Sequence, residues 1–148
     1  MTIPKYSAVA DAYRPRGDKR PYLRTPEEVA GLFRPLVRRS REHLIVLCLN
    51  SHVQLTASET VAVGSLNVAR AAPRDVFAPA IKRDAAGIIL VHNHPSGRAE
   101  PSEDDVLFTR SIVRAGELLG IPCWDHVILA TDGHVSLRAR GVVPAVTP

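Results

Sequence analysis

The chain has little sulfur, no membrane-length apolar run and no secretory leader. Of its 148 residues only Cys48 and Cys123 are cysteines, each inside an apolar run. That excludes a disulfide framework and predicts two buried free thiols. No apolar stretch approaches the ~18 residues needed to cross a bilayer. The opening residues MTIPKYSAVADAYRPRGDKR lack the apolar core of a signal peptide. These absences predict a cytoplasmic protein with no membrane partner. There are no internal repeats. What is present, 45% apolar and 23% charged residues over 148 positions, is the composition of one ordinary globular domain.

Charge is unevenly placed. Residues 1–42 hold ten Lys/Arg against five Asp/Glu, whereas residues 43–148 hold nine against ten. A basic leader of this kind is compatible with nucleic-acid or acidic-partner binding, and equally with a solvated tail.

Residues 1–24, punctuated by Pro4, Pro15, Gly17 and Pro21, read as an extended basic arm. Residues 25–142 read as the domain and residues 143–148 as a tail. Thr25-Pro26-Glu27-Glu28 is a helix start, with a Thr cap, Pro in the first turn and a following glutamate; Pro35 predicts a kink or an early stop. Residues 43–49 and 53–63 read as a hairpin turning at Asn50-Ser51, and residues 64–72 as a loop. A helix is expected from Pro73 to about Asp84 with Val76, Phe77, Ala80 and Ile81 on its apolar face. Residues 87–91 form a short, wholly apolar strand, expected to be central. A polar loop over 92–101 leads to a helix over 102–119, with Leu118 among its apolar positions, stopped by Gly120 and Pro122. Residues 127–130 and 135–137 close the chain as a second hairpin. Strands and helices so mixed predict an α/β (α+β) fold with one mixed sheet flanked by helices.

The informative stretch runs from Val91 to Asp105. Residues two apart on an extended segment share a face, so His92 and His94 can aim at one point. Pro95, Gly97 and Pro101 turn the chain, Ser102 is placed to cap the next helix, and Asp105 falls in its first turn. Two imidazoles and a carboxylate can thereby converge, the ligand count of a catalytic zinc site that leaves one position for water. Such a site needs a separate proton acceptor. Glu59, an acidic residue in the middle of a strand, is the candidate, because a buried carboxylate needs a partner. Glu100 lies in the turn, and Glu103 and Asp104 in the first helical turn, where acidic residues suit the helix dipole. Ser102 has a purely structural reading as the N-cap. The Asp125-His126 pair reads as hydrogen-bonded structure and Arg98 as a solvated charge.

The spacing His-x-His, seven residues, Ser, two residues, Asp resembles the signature of the JAMM/MPN+ (JAB-domain) metalloproteases. The words HNHPSG at 92–97, PS at 101–102, PRDVF at 73–77 and DH at 125–126 are similar to the RadC-type branch. The likeness spans roughly residues 43–142. It implies a cytidine-deaminase-like domain, one Zn2+ per chain on His92, His94 and Asp105, Glu59 as general acid/base, and Ser102 at the oxyanion. It also implies hydrolysis of peptide or isopeptide bonds, hence a peptide or protein-conjugate substrate. RadC-type proteins usually carry an upstream helix–hairpin–helix segment, which residues 1–42 are too short and Pro-rich to hold. The competing function is a DNA-associated protein, a nuclease or a repair or mobile-element accessory, using the basic N-terminal segment. A zinc deaminase is disfavoured because neither Cys-x-x-Cys nor His-x-Glu occurs. Whether the chain dimerises is left open by the sequence.

Overall fold

The computed structural model describes residues 12–13 (backbone only), 19–64 and 71–145. The described strands form one mixed sheet in the order β1-β3-β2-β4-β5-β6: β1 (Ala12–Tyr13), β2 (Glu42–Leu49), β3 (Leu55–Gly64), β4 (Gly87–Asn93), β5 (Cys123–Ala130) and β6 (Gly133–Ser136). Three helices, α1 (Pro26–Phe33), α2 (Pro73–Lys82) and α3 (Glu103–Leu119), cover it. β4 is central as expected, antiparallel to β2 and parallel to β5.

Strands buried on both sides need cover on both sides, and alternation sorts the core into two layers. Ile45, Leu47, Ile89, Val91, Val127 and Leu129 pack against Val29, Phe33 and Leu36 from α1 and its continuation. Leu44, Val46, Ile88 and Leu90 pack against Val76, Phe77 and Ala80 of α2 and Ile112 of α3. Thr25 caps α1 by accepting from the Glu28 amide, and the helix tightens into a 3₁₀ turn over Arg34–Arg38, where Pro35 forbids regular continuation. Gly120 stops α3 in the left-handed conformation, φ 70°.

The differences from expectation are local. β4 runs two residues further than Val91, because His92 and Asn93 still pair with Ile128 and Leu129 of β5. Ile81 and Leu118, expected among the apolar positions of their helices, face solvent at 54% and 90% exposure, while Val76, Phe77, Ala80 and Ile112 of the same helices make the contact with the sheet. Val143 is buried, and its amide and that of Val142 donate to the Leu137 carbonyl, so the start of the expected tail folds against the domain. At the other end, Leu23 is buried and its amide donates to the Val53 carbonyl. The rest of the arm before residue 19 apart from β1, the loop residues 65–70 and the last residues 146–148 lie outside the described residues. Cys48 and Cys123 are both free and buried. No described helix is long and apolar enough to cross a membrane.

Candidate metal centre

The site forms where β4 ends. Ile88, Leu90 and His92 alternate onto the α2/α3 face, and His92 is 3% exposed. The chain leaves the strand still tied to β5, through the His94 amide donating to the Leu129 carbonyl at 2.8 Å. It then turns at Gly97, whose φ of 93° requires glycine. The loop is clamped on the β5–β6 turn by the Ala99 amide donating to Asp132 at 3.0 Å and the Asp132 amide donating to the Gly97 carbonyl at 3.1 Å. Ser102 and Asp105 then make a reciprocal capping box. The Asp105 amide donates to Ser102 Oγ at 3.1 Å and the Ser102 amide to Asp105 Oδ2 at 2.9 Å. This aims the Asp105 carboxylate back at the strand end, with Oδ2 3.0 Å from His94 Nε2 and Oδ1 3.7 Å from His92 Nδ1. The two histidines and the aspartate singled out in the sequence therefore meet.

The glutamate beside them is Glu42. Leu44 pairs with His92 across the antiparallel β2–β4 ladder, so Glu42, two residues earlier on the same face, reaches the level of His94. Its carboxylate is buried, with Oε2 3.6 Å from His92 Nε2. Glu42, His92 and His94 offer ligand atoms that all lie within 4.8 Å of one another. Asn93, fully buried, holds this end of β2 in place: its Oδ1 accepts from the His43 amide at 2.6 Å and its Nδ2 donates to the Arg41 carbonyl at 2.9 Å.

The structure does not bring Glu59 to this group. Glu59 pairs with Val46 on β3, and Val46 pairs in turn with Leu90, so two strand spacings separate Glu59 from β4. Its carboxylate, 40% exposed, is 3.4 Å from Arg83 Nη1. Its partner is an arginine at the end of α2, which met the need of a strand carboxylate for a counter-charge. Ser102 lies next to the cluster at the exposed N-terminus of α3, with Oγ accepting in the cap.

The electrostatics follow from these contacts. His94 Nδ1–H donates to the Arg98 carbonyl at 2.9 Å, which turns Nε2 toward Asp105. Burial works against the charged form of His94, but the hydrogen bond to Asp105 and that to Arg98 prevail and raise its pKa. Burial likewise opposes ionisation of Asp105, yet the His94 hydrogen bond, the neighbouring His92 and the Ser102 amide hold its carboxyl well below the usual carboxylate range. On the inner side of His92 lies His126, fully buried, its pKa pushed down to about 3 by burial and then by His92. The adjacent Asp125 is a structural acceptor as expected, taking hydrogen bonds from the His126 and Arg138 amides and the Ser136 hydroxyl.

His92 gives the test of whether a cation fits. Both of its ring nitrogens are buried and without a hydrogen-bond partner among the described residues, a costly state for buried polar atoms. Each has a carboxylate oxygen at 3.6–3.7 Å. Two imidazoles between two carboxylates are a donor set suited to a divalent cation such as zinc, and a cation among them would satisfy one of the two orphaned nitrogens and the acidic group that faces it.

Residues that sequence reasoning passed over are Glu42, Asn93, Thr109 and, in its position, His126. Asn93 was visible only as a letter inside HNH. Glu42 precedes the apolar run of β2 and looks like an ordinary flanking charge until the antiparallel register is known.

The profile of the RadC-like JAB domain matches residues 23–142. The chain is 42% identical over 127 residues to a UPF0758 protein of Desulforamulus reducens, covering 85% of this chain and 56% of that one. It is 45% identical over 132 residues to a UPF0758 protein of Desulforudis audaxviator, covering 88% and 57%. With a UPF0758 protein of Caldanaerobacter subterraneus it shares 46% identity over 118 residues, 79% and 51% of the two chains. The chain thus spans about half the length of the curated relatives it matches.

Proposed function

Because this chain belongs to the RadC-like JAB-domain family, we propose that it is a zinc-dependent hydrolase of peptide or isopeptide bonds, with His92, His94 and Asp105 holding the metal and Glu42 carrying the proton. The observation that carries the reading is the buried His92 ring, both nitrogens without a hydrogen bond among the described residues and a carboxylate on either side. Asp105 is the better third ligand because its carboxylate touches both imidazoles, whereas Glu42 touches His92 alone among the hydrogen bonds and ion pairs of the described residues.

When bound, zinc acidifies water and polarises a substrate carbonyl. The rest of the chemistry belongs to the chain. His94 presents Nε2 because its Nδ1–H is committed to the Arg98 carbonyl. Glu42, buried beside His92 at the start of β2, takes a proton from the attacking water and returns it to the leaving amine. Ser102 Oγ accepts in the helix cap and so keeps its O–H free to donate to the oxyanion, aided by the positive end of α3. The resemblance to peptide- and isopeptide-cleaving JAMM proteins supports this substrate class.

Metal analysis of the purified protein beside His94→Ala tests this, followed by a screen on peptides and ubiquitin-like conjugates. About one zinc per wild-type chain, lost in the variant together with any cleavage, is expected. A metal-free wild type, or a variant that retains full zinc, overturns it.

A further inference from the structure

The hydrolytic scheme leaves a third imidazole of the site unused. His126, 1% exposed, pairs with Leu90 on β5, while His92 pairs with Ile128, so the two histidines are diagonal neighbours on one sheet face. Their ring centroids are 5.8 Å apart and their planes tilted by 37°, so the rings are neighbours without a hydrogen bond between them in this structure. His126 Nδ1 lies 2.6 Å from Thr109 Oγ1, and that hydroxyl lies 2.7 Å from the Asp105 carbonyl. A carbonyl only accepts, so Thr109 donates its single proton to Asp105 and must accept from His126. The ring is therefore protonated at Nδ1, leaving a lone pair on Nε2, which is buried and has no partner among the described residues.

His92 has the complementary shortage. A neutral imidazole that gives one nitrogen to a metal carries a proton on the other, and metal-bound histidines almost always donate that N–H to a protein acceptor. An unpaired acceptor and an unpaired donor thus sit on neighbouring rings. We propose that His126 is a positioning residue for the metal centre: Thr109 fixes its tautomer, and its Nε2 accepts the N–H of His92, deciding which His92 nitrogen faces the metal. This rests on the metal-dependent reading above. The strut Asp105–Thr109–His126–His92 also ties the backbone of the ligand residue on α3, through the Thr109 hydroxyl one helical turn on, to the ligand on β4.

Zinc affinity by chelator competition, with thermal unfolding of the metal-free proteins alongside, tests the proposal in wild type, His126→Leu, His126→Gln and Thr109→Val. His126→Leu should bind zinc on the order of 10- to 100-fold more weakly. His126→Gln, whose amide oxygen can accept, should recover most of that loss, and Thr109→Val should fall between. Unchanged affinity in His126→Leu, or equal losses in the Leu and Gln variants, overturns the proposal while zinc binding by wild type leaves the hydrolase reading standing. A wild type that binds no zinc ends both. Should the variants not fold, 15N spectroscopy of the wild-type imidazoles decides: His126 protonated at Nδ1 and bare at Nε2 supports the assignment, and the opposite tautomer refutes it.

Discussion

Exchanging each of two glutamates for glutamine separates the site from its surroundings. Glu59 pairs with Val46, which pairs with Leu90, two residues before His92. Two strand spacings of ~4.8 Å and two residues of ~3.4 Å put it roughly 12 Å from His92 along the sheet, beyond the reach of a side chain that already bonds Arg83. Glu42 touches His92. Glu42→Gln keeps the shape and removes the base, so turnover should fall by about 10²–10⁴-fold, equivalent to roughly 3–5 kcal/mol of barrier, with zinc content preserved. Glu59→Gln loses one partly exposed ion pair, worth about 0–1 kcal/mol of stability, and turnover should not change. The assay is steady-state cleavage of the best conjugate from the screen, with metal content measured on the same samples. A large loss in Glu59→Gln with activity retained in Glu42→Gln would refute the placement of the proton carrier.

Asn93→Ala should destabilise the fold by about 2–4 kcal/mol in urea unfolding, because it strands the His43 amide and the Arg41 carbonyl; it should also weaken zinc binding by loosening Glu42, and a neutral effect on both would count against that role. Gly116→Ala would ordinarily stabilise a helix, but the added Cβ would lie 2.5 Å from the Ile121 carbonyl oxygen, so a loss of about 1–3 kcal/mol is expected in thermal unfolding, and a gain would show that the turn yields freely. Asp125 has its pKa raised by burial, which outweighs its hydrogen bonds from Ser136, Arg138 and His126. A raised carboxyl supports the fold below its unfolded pKa and loses that support as pH climbs through the folded value. Asp125→Asn keeps an oxygen for the two amides, so its stability relative to wild type should improve from acidic to neutral pH; a difference that does not vary with pH would sink the argument.

Much of the site was legible because it is local. His92, His94, Ser102 and Asp105 lie within fourteen consecutive residues, and their convergence depends on strand alternation, a glycine turn and a capping box, all of which act over a few residues. The α1 cap, the stop at Pro35, the central apolar strand and the glycine end of α3 were readable for the same reason. Glu42 was not. It lies fifty residues before His92, and only the antiparallel register of β2 against β4 places it at that end of the sheet. Glu59 shared the residue type and the strand context, and what separated the two was lateral distance across the sheet. His126 was readable as a hydrogen-bonded strand histidine, but its neighbour His92 comes from the parallel pairing of β4 and β5 that the α3 crossover creates.

By itself, then, the sequence determined the elements, the two-sided burial of the central strand and the short segment that turns two imidazoles and a carboxylate toward one another, because periodicity, capping and turn chemistry operate on neighbouring residues. Which glutamate faces that cluster, and which imidazole backs it, was decided only by the sheet. Strand order and register bring together residues that nothing along the chain connects, and the hydrophobic packing of two helical layers selects that register over its alternatives.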